Sequence, residues 1–437
     1  MAKFRHHKTE PEHTSEGLPL VGIDMGSSSF KMLAAEETDP TNPYGSQLRI
    51  IAADESSKYR CVKKGIIVNT SEASYMIRES MLLMSNRLKM DNPLPTAFCV
   101  LGGKSMRCTP VKVLRNLGYK GPVRQSLLDE MRNESILKIS RVQTTQPIVG
   151  LDARPASFLI DDQQTVETIE PDSLIKSIAA TYSTFYGLPD LKEKVTGSFE
   201  RAGKSIEQAF ARPSALLEAL ASEQDELIGL AIIDMGAETT TISIYKGGQF
   251  LSTKVLPFGG YNISLDIQHL GITLEDAEKL KVRFGSAIAQ TEAPKTIRIR
   301  NAQPDGDPIL VTTTFLSEII TSRLEEIMIP IFGELKKFEE QIGQVYITGG
   351  ASRMANMLEY VRAHTSLPVE YGSHADWLDE QTDARFYGPE YSATVGAMLL
   401  GARFRREHPG QKLPPTKIPV GKHIFTRLTD LFTPPTE

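Results

Sequence analysis

Cysteine is scarce: Cys61, Cys99 and Cys108 are the only three in 437 residues. An odd, sparse set is no disulfide framework and suits a reducing cytoplasm. Cys99 and Cys108 sit at a separation that lets them face each other across a hairpin. Two separate buried thiols is the alternative, since free cysteine is commonly buried. No cysteine or histidine cluster has the spacing of a zinc site. Long apolar runs are missing as well. Nothing approaches the roughly 20 residues of a membrane-spanning helix. The polar opening, Met1 to Gly17, has no secretory pattern, and its His6-His7 pair reads as part of a solvated tail. There is no large basic block, and net charge is −5, so bulk electrostatics give no reason to expect nucleic acid. What remains is 40% hydrophobic and 24% charged, the composition of a soluble globular protein. The length favours two or more domains.

Two segments about 210 residues apart share one plan. Gly22-Ile23-Asp24-Met25-Gly26-Ser27-Ser28-Ser29 and Ile233-Asp234-Met235-Gly236-Ala237-Glu238-Thr239-Thr240 each run from apolar residues into Asp-Met-Gly and then small or polar residues. A second apolar stretch follows each, Phe30 to Ala35 and Ile242 to Tyr245. The pattern predicts strand, tight turn, strand, twice, with glycine supplying the turn angles. Turn amides and hydroxyls then face one point where phosphate oxygens fit. The adjacent aspartate is placed to hold a divalent cation through water. Two such hairpins imply two similar halves closing on one nucleotide.

The rest of the chain is predicted to alternate strands and helices. A strand is expected near Arg49 to Ala53, then a helix over Ser71 to Met90 with Ser71 as N-cap and Ile77, Met81, Met84 and Leu88 on one face. Asp91-Asn92-Pro93-Leu94-Pro95 reads as a boundary. Beyond it, Thr96 to about Asp162 looks like a small inserted domain with a helix over Ser126 to Ile139, capped by Ser126, with Asp129-Glu130 in its first turn. A helix over Leu191 to Ala202 follows, and Phe210 to Leu216 leads into a helix joining the halves. Pro294 to Val311 is expected to be a hairpin turning at Pro304-Asp305-Gly306-Asp307. The small residues Ala393, Gly396, Ala397 and Gly401 allow a closely packed helix, either an ordinary one or one at a hinge.

These motifs, taken in order, resemble the actin/Hsp70/sugar-kinase ATPase superfamily. Asp24 to Ser29 is similar to its first phosphate loop and Asp234 to Thr240 to its second. Ile347-Thr348-Gly349-Gly350-Ala351-Ser352 is similar to its adenosine motif, and Glu278-Lys279-Leu280-Lys281 to the helix flanking the nucleoside. Within the superfamily the chain resembles the FtsA family of bacterial cell-division proteins. Val255-Leu256-Pro257-Phe258-Gly259-Gly260 with Asp266-Ile267, Asp276 through Gly285, Leu316 through Ile327, and Ala97 to Cys108 carry that likeness. The second loop departs from it: Ala237 and Glu238 stand where FtsA has consecutive glycines. Glu238 sets a carboxylate against the polyphosphate unless it points away or pairs with Mg²⁺.

The resemblance implies an α/β, actin-like, two-lobed fold with duplicated core domains and an inserted small α+β domain. The expected division is a tail at 1–17, a first core at 18–92, 168–225 and 393–406, and an insert at 93–167. A second core at 226–270 and 341–392 and an outer piece at 271–340 complete the body. ATP with Mg²⁺ is expected between the halves. Ser27, Ser28 and Ser29 would meet phosphate from one side, and Gly236, Thr239 and Thr240 from the other. Gly26 shapes the first turn, and Asp24 and Asp234 would hold the metal through water. Lys31 either reaches a phosphate or is a surface lysine. Gly349, Gly350 and Ala351 would line the nucleoside, with Glu278 and Lys281 beside ribose and base. No catalytic base stands out.

After a proline-rich linker at 407–420, residues 421–437 change character. Ile424, Phe425, Leu428, Leu431 and Phe432 form one helical stripe, with Lys422 and Arg427 elsewhere on the turn. Burying these side chains is worth about 1.5–3 kcal/mol each, against about 1–2 kcal/mol per residue for ordering the segment. One copy should bind an anionic membrane weakly, and linked copies far better. A terminal helix docked on the chain's own body is the alternative. The resemblance further implies a partner, the C-terminal peptide of the tubulin-like division protein FtsZ, with Arg323 as the contact or else as a helix-surface ion pair with Glu325 or Glu326. Filament formation, weak or absent ATPase activity, and a midcell site on the cytoplasmic membrane face are implied as well. The competing readings are a PilM-like pilus or secretion scaffold and a sugar or acetate kinase. The kinase would need an acidic base beside the first loop.

Overall fold

The computed structural model describes residues 17–39, 47–57, 60–169, 172–288 and 293–411. The expected N-terminal tail, except Gly17, and the amphipathic end segment with its membrane residues lie outside these.

The chain opens with β1 (Leu20–Met25), β2 (Phe30–Glu37) and β3 (Leu48–Ser56), then a small hairpin of β4 (Val62–Lys63) and β5 (Ile66–Ile67). Helix α1 (Thr70–Arg87) leads to β6 (Thr96–Leu101). Asn69 caps α1 by accepting from the Glu72 amide, so the cap falls two residues before the predicted Ser71. An inserted block follows: β7 (Arg107–Pro122), α2 (Gln125–Ser140), β8 (Val149–Ile160), β9 (Gln164–Val166) and β10 (Leu174–Gly187). Helix α2 starts before Ser126 and has no side-chain cap, and Asp129 lies beyond its first turn. Helix α3 (Asp190–Ala202), β11 (Ser205–Ala211), α4 (Arg212–Leu220) and α5 (Glu223–Ile228) lead to the second half.

That half begins with β12 (Leu230–Met235), β13 (Thr240–Lys246) and β14 (Gln249–Leu256). It continues through α6 (Gly260–Gln268), α7 (Leu274–Phe284), the predicted hairpin β15 (Thr296–Ile299) and β16 (Ile309–Thr312), and α8 (Thr313–Lys337). Strand β17 (Gln344–Thr348), α9 (Met357–Arg362), β18 (Val369–Tyr371) and α10 (Ser392–Glu407) close the described chain.

The two main sheets are the same sheet twice. One has the order β3-β2-β1-β6-β11 and the other β14-β13-β12-β17-β18. In each, the first three strands pair antiparallel and the last three parallel. The central strands β1 and β12 are buried at every residue, as strands covered on both faces must be. Helix α10 returns to press on the first sheet. A Cβ on Gly396 would stand 1.8 Å from the Ala215 carbonyl oxygen, and one on Gly401 2.5 Å from the Phe98 ring. The small residues of this helix are therefore required by its packing.

The inserted block forms its own sheet, β7-β10-β8-β9, over a separate core around Val113, Phe158 and Tyr182. Its limits differ from the expected 93–167. Thr96–Leu101 is a fully buried strand of the first main sheet, and β10 pairs along its length with β7 and β8. The block thus runs from Arg107 to Gly187. The prolines at 93 and 95 mark a loop entering a core strand rather than a domain border.

Candidate functional site

Each predicted hairpin forms, with Asp24 opposite Lys31 and Asp234 opposite Thr241. The Gly26 amide donates to Ser29 O at 3.0 Å and the Gly236 amide to Thr239 O at 2.8 Å, closing both turns. The first turn keeps Ser27 and Ser29 half-buried and Ser28 exposed. Lys31 is buried beneath it and donates from Nζ to Ser29 Oγ at 2.8 Å, so it belongs to the turn and not to the outer surface. Thr240 is fully buried and donates to the Phe258 carbonyl at 3.0 Å, which turns its hydroxyl to structural use. The carbonyls of Gly236 and Ala237 accept from the Gly260 and Tyr261 amides at 3.0 and 2.7 Å. These amides belong to the first turn of α6 and would otherwise lack partners.

The turns face each other across the junction of the lobes. Arg212, the first residue of α4, joins them: its Nη2 donates to Asp24 Oδ1 and its Nη1 to Asp234 Oδ2 at 3.5 Å. Both aspartates are buried, at 3% and 7% exposure. Burial raises the Asp234 carboxyl above the usual aspartate range, and Arg212 opposes that. Burial works against the Arg212 charge, but Asp24 and Asp234 outweigh it and hold the guanidinium above its ordinary value. Glu238 also crosses the junction, accepting from the Lys64 backbone amide at 2.6 Å through Oε2. Beside it the Gly65 amide donates to Ser27 Oγ at 3.4 Å. Lys64 lies 5.9 Å from the Phe258 ring centre and Arg60 5.8 Å from that of Tyr261.

The fold class implies Mg²⁺ between such aspartates. As arranged, these residues do not fit a hydrated divalent ion. A guanidinium, which cannot lose its proton in a protein, already stands between the two carboxylates. In this arrangement Asp24 and Asp234 are the partners of Arg212.

Of the predicted nucleoside residues, Glu278, Lys281 and Ala351 come together around Gly260. Lys281 donates to Gly260 O at 2.8 Å, Ser264 Oγ at 2.9 Å and Glu278 Oε2 at 2.8 Å. A Cβ on Gly260 would meet the Ala351 methyl at 2.9 Å, so Ala351 sits over this cluster. Desolvation lowers the Lys281 pKa, with Glu278 opposing. Gly349 has φ 88°, and a Cβ there would strike Asp234 Oδ1 at 2.5 Å. After Gly349 comes a short 3₁₀ turn, Gly350–Arg353, ahead of α9. Arg323 lies apart from this site on α8. It grips Asp266 of α6 with two nitrogens, Nη2 to Oδ1 at 2.8 Å, and Glu326 with a third.

Sequence reasoning missed Arg212. Its signal was present: a cation at the first position of a helix opposes the helix dipole and calls for acids nearby.

A sheet built twice, with the paired turns of its two copies meeting at one junction, defines an actin-like protein. Solved structures agree on the fold. The PilM–PilN type IV pilus biogenesis complex matches at TM-score 0.62 and 16% identity, over 88% of this chain and 98% of that one. MreB5 of Spiroplasma citri bound to ADP matches at 0.53 and 12%, over 90% and 98%. The family model for cell division protein FtsA matches residues 231–396. The cell division protein FtsA of Rhizobium meliloti (strain 1021) is 32% identical over 369 residues, 78% of this chain and 77% of that protein. The chain belongs to the FtsA family of cell-division proteins.

The three cysteines are free. Cys99 lies within the first sheet and Cys108 begins the inserted one, which answers the open question in favour of separate thiols. No described helix is long and apolar enough to cross a membrane.

Proposed function

We propose that this chain holds ATP at the junction of its lobes, self-associates into filaments, and ties FtsZ to the cytoplasmic membrane during cell division. The carrying observation is that two closed glycine turns, from separate copies of one sheet, meet closely enough for Arg212 to reach both aspartates. In this reading Ser27, Ser28 and Ser29 and the Gly236–Thr239 turn receive the phosphates. Gly349 to Ala351 and the Glu278–Lys281 pair border the nucleoside. A nucleotide touching both lobes would favour the closed arrangement and with it self-association. No role in hydrolysis is assigned.

Residues 421–432 are assigned to the membrane. Deleting 421–437 should release the protein from anionic liposomes; undiminished co-sedimentation would remove that role. Arg323 is assigned to the FtsZ peptide, with a peptide carboxylate displacing Glu326, the more exposed of its two partners at 68%. Arg323→Glu should weaken binding of that peptide by about tenfold or more, equivalent to about 1.4 kcal/mol. An unaltered dissociation constant would clear the residue. The decisive experiment is localisation of a fluorescent fusion in dividing cells. A midcell ring is expected, whereas foci at the poles would favour a pilus scaffold and a diffuse signal would end the tether reading.

A further inference from the structure

The two buried aspartates at the junction have cations beside them before any ligand arrives. Asp24 and Asp234 contribute two negative charges; Arg212 bridges them, and Lys31 lies close beneath the first turn. Buried carboxylates need such partners. The backbone that leads into Arg212 is also anchored. Arg212 follows Ala211, whose amide donates to Asp152 Oδ2 at 2.8 Å, and Asp152 is itself buried and paired with Arg132 at 2.6 Å. Its stem runs past Gly102, where a Cβ would come within 3.1 Å of Arg212 Nε. A side chain there would press on the arginine stem and push it aside by a few tenths of an ångström. A divalent ion entering between the aspartates would meet this fixed cation at close range.

We infer that Arg212 takes the place of the divalent cation, so that this chain accepts a nucleoside polyphosphate not complexed to metal. The inference rests on the proposed nucleotide site and deepens it. Arginine suits the role: its charge is permanent, its fork matches carboxylate and phosphate oxygens, and it is more weakly hydrated than an ammonium group. The aspartates then serve to aim Arg212 and not to ligate an ion.

The test is calorimetric titration of the full chain with ATP, once with excess EDTA and once with magnesium. Melting temperature is measured in the same buffers without nucleotide. Wild-type affinity should differ by no more than about twofold between the buffers, and the melting temperature should not move with magnesium alone. Arg212→Gln leaves two buried carboxylates without their cation. It should melt lower, regain part of the loss on adding magnesium alone, and bind ATP only when magnesium is present. If wild type loses about a hundredfold in affinity in EDTA, the inference is overturned and the nucleotide site stands. If wild type binds ATP in neither buffer, the nucleotide reading and this inference both fall. Should Arg212→Gln not fold, the two wild-type comparisons decide alone.

Discussion

At the first hairpin the turn closes through Gly26 and Ser29; at the second it closes through Gly236 and Thr239, with the same strand register on either side. The likeness extends outward. The fourth strand of each sheet, β6 or β17, runs parallel to the central one and is followed by two glycines, Gly102-Gly103 and Gly349-Gly350. Gly102 makes room for Arg212, and Gly349 makes room for Asp234. What differs is everything the sheet does not constrain. The first turn carries three serines over a buried lysine, and the second carries Ala237 and Glu238 and is tied down by the start of α6. Extra structure enters after the fourth strand in the first lobe and before it in the second. Strand pairing dictates the turn backbone, while turn side chains and insertion points are free to diverge.

The largest expected effect comes from breaking the equivalence of the two aspartates. Asp24→Ala removes the closer partner of a half-buried guanidinium and should cost about 2–4 kcal/mol. Asp234→Ala removes a contact at 3.5 Å and a carboxyl that burial already disfavours. Its loss should be smaller, about 1–2 kcal/mol. Urea unfolding of both variants reads the difference. Equal losses would mean that the two loops share their electrostatics as well as their backbone.

Much of this arrangement was legible in the sequence because it repeats. Asp-Met-Gly between apolar runs is a local pattern, and both hairpins formed where it predicts. Lys281 and Ala351, singled out from short motifs, lie on either side of Gly260. The features that escaped are those fixed by distant partners. Thr96–Leu101 reads as the start of an insert until β1 and β11 are seen on either side of it. Arg212 lies 188 residues from Asp24 in sequence, and no local rule joins them. Thr240 looks like a phosphate ligand by position, but the Phe258 carbonyl claims its hydroxyl. Asn69 displaced Ser71 as a cap because N-capping tolerates several residue types and boundaries are weakly encoded.

An effect of similar size separates the two glycines after β17. Gly349→Ala forces a Cβ into a left-handed backbone and against Asp234 Oδ1 and Met235 O. It should lower stability by about 2–4 kcal/mol. Gly350→Ala points its methyl at nothing closer than Glu390 Cβ, 3.8 Å away, and should stay within about 0.5 kcal/mol of wild type. Thermal unfolding distinguishes them. A tolerated Gly349→Ala would show that the second lobe does not need the tight fit between this turn and its aspartate.

The smallest effect sharpens the contrast between the turns themselves. Glu238 is half-buried, and its carboxylate accepts from the Lys64 amide across the junction. Glu238→Gln keeps a carbonyl oxygen able to accept that bond and removes only the charge. Stability should therefore change by less than about 1 kcal/mol, the net worth of an ordinary hydrogen bond. Nucleotide affinity should respond more. Two like unit charges about 8 Å apart repel by about 2 kcal/mol at an effective dielectric near 20, and solvent screening reduces this. Neutralising Glu238 should tighten ATP binding by roughly tenfold, or about 1.4 kcal/mol. Calorimetry on the full chain measures both the affinity and its dependence on salt. A gain that shrinks as salt rises would identify repulsion as the cause. Unaltered affinity would place the carboxylate out of reach of the phosphates, leaving Glu238 as a strap between the lobes and the divergence of the second turn without consequence for the nucleotide.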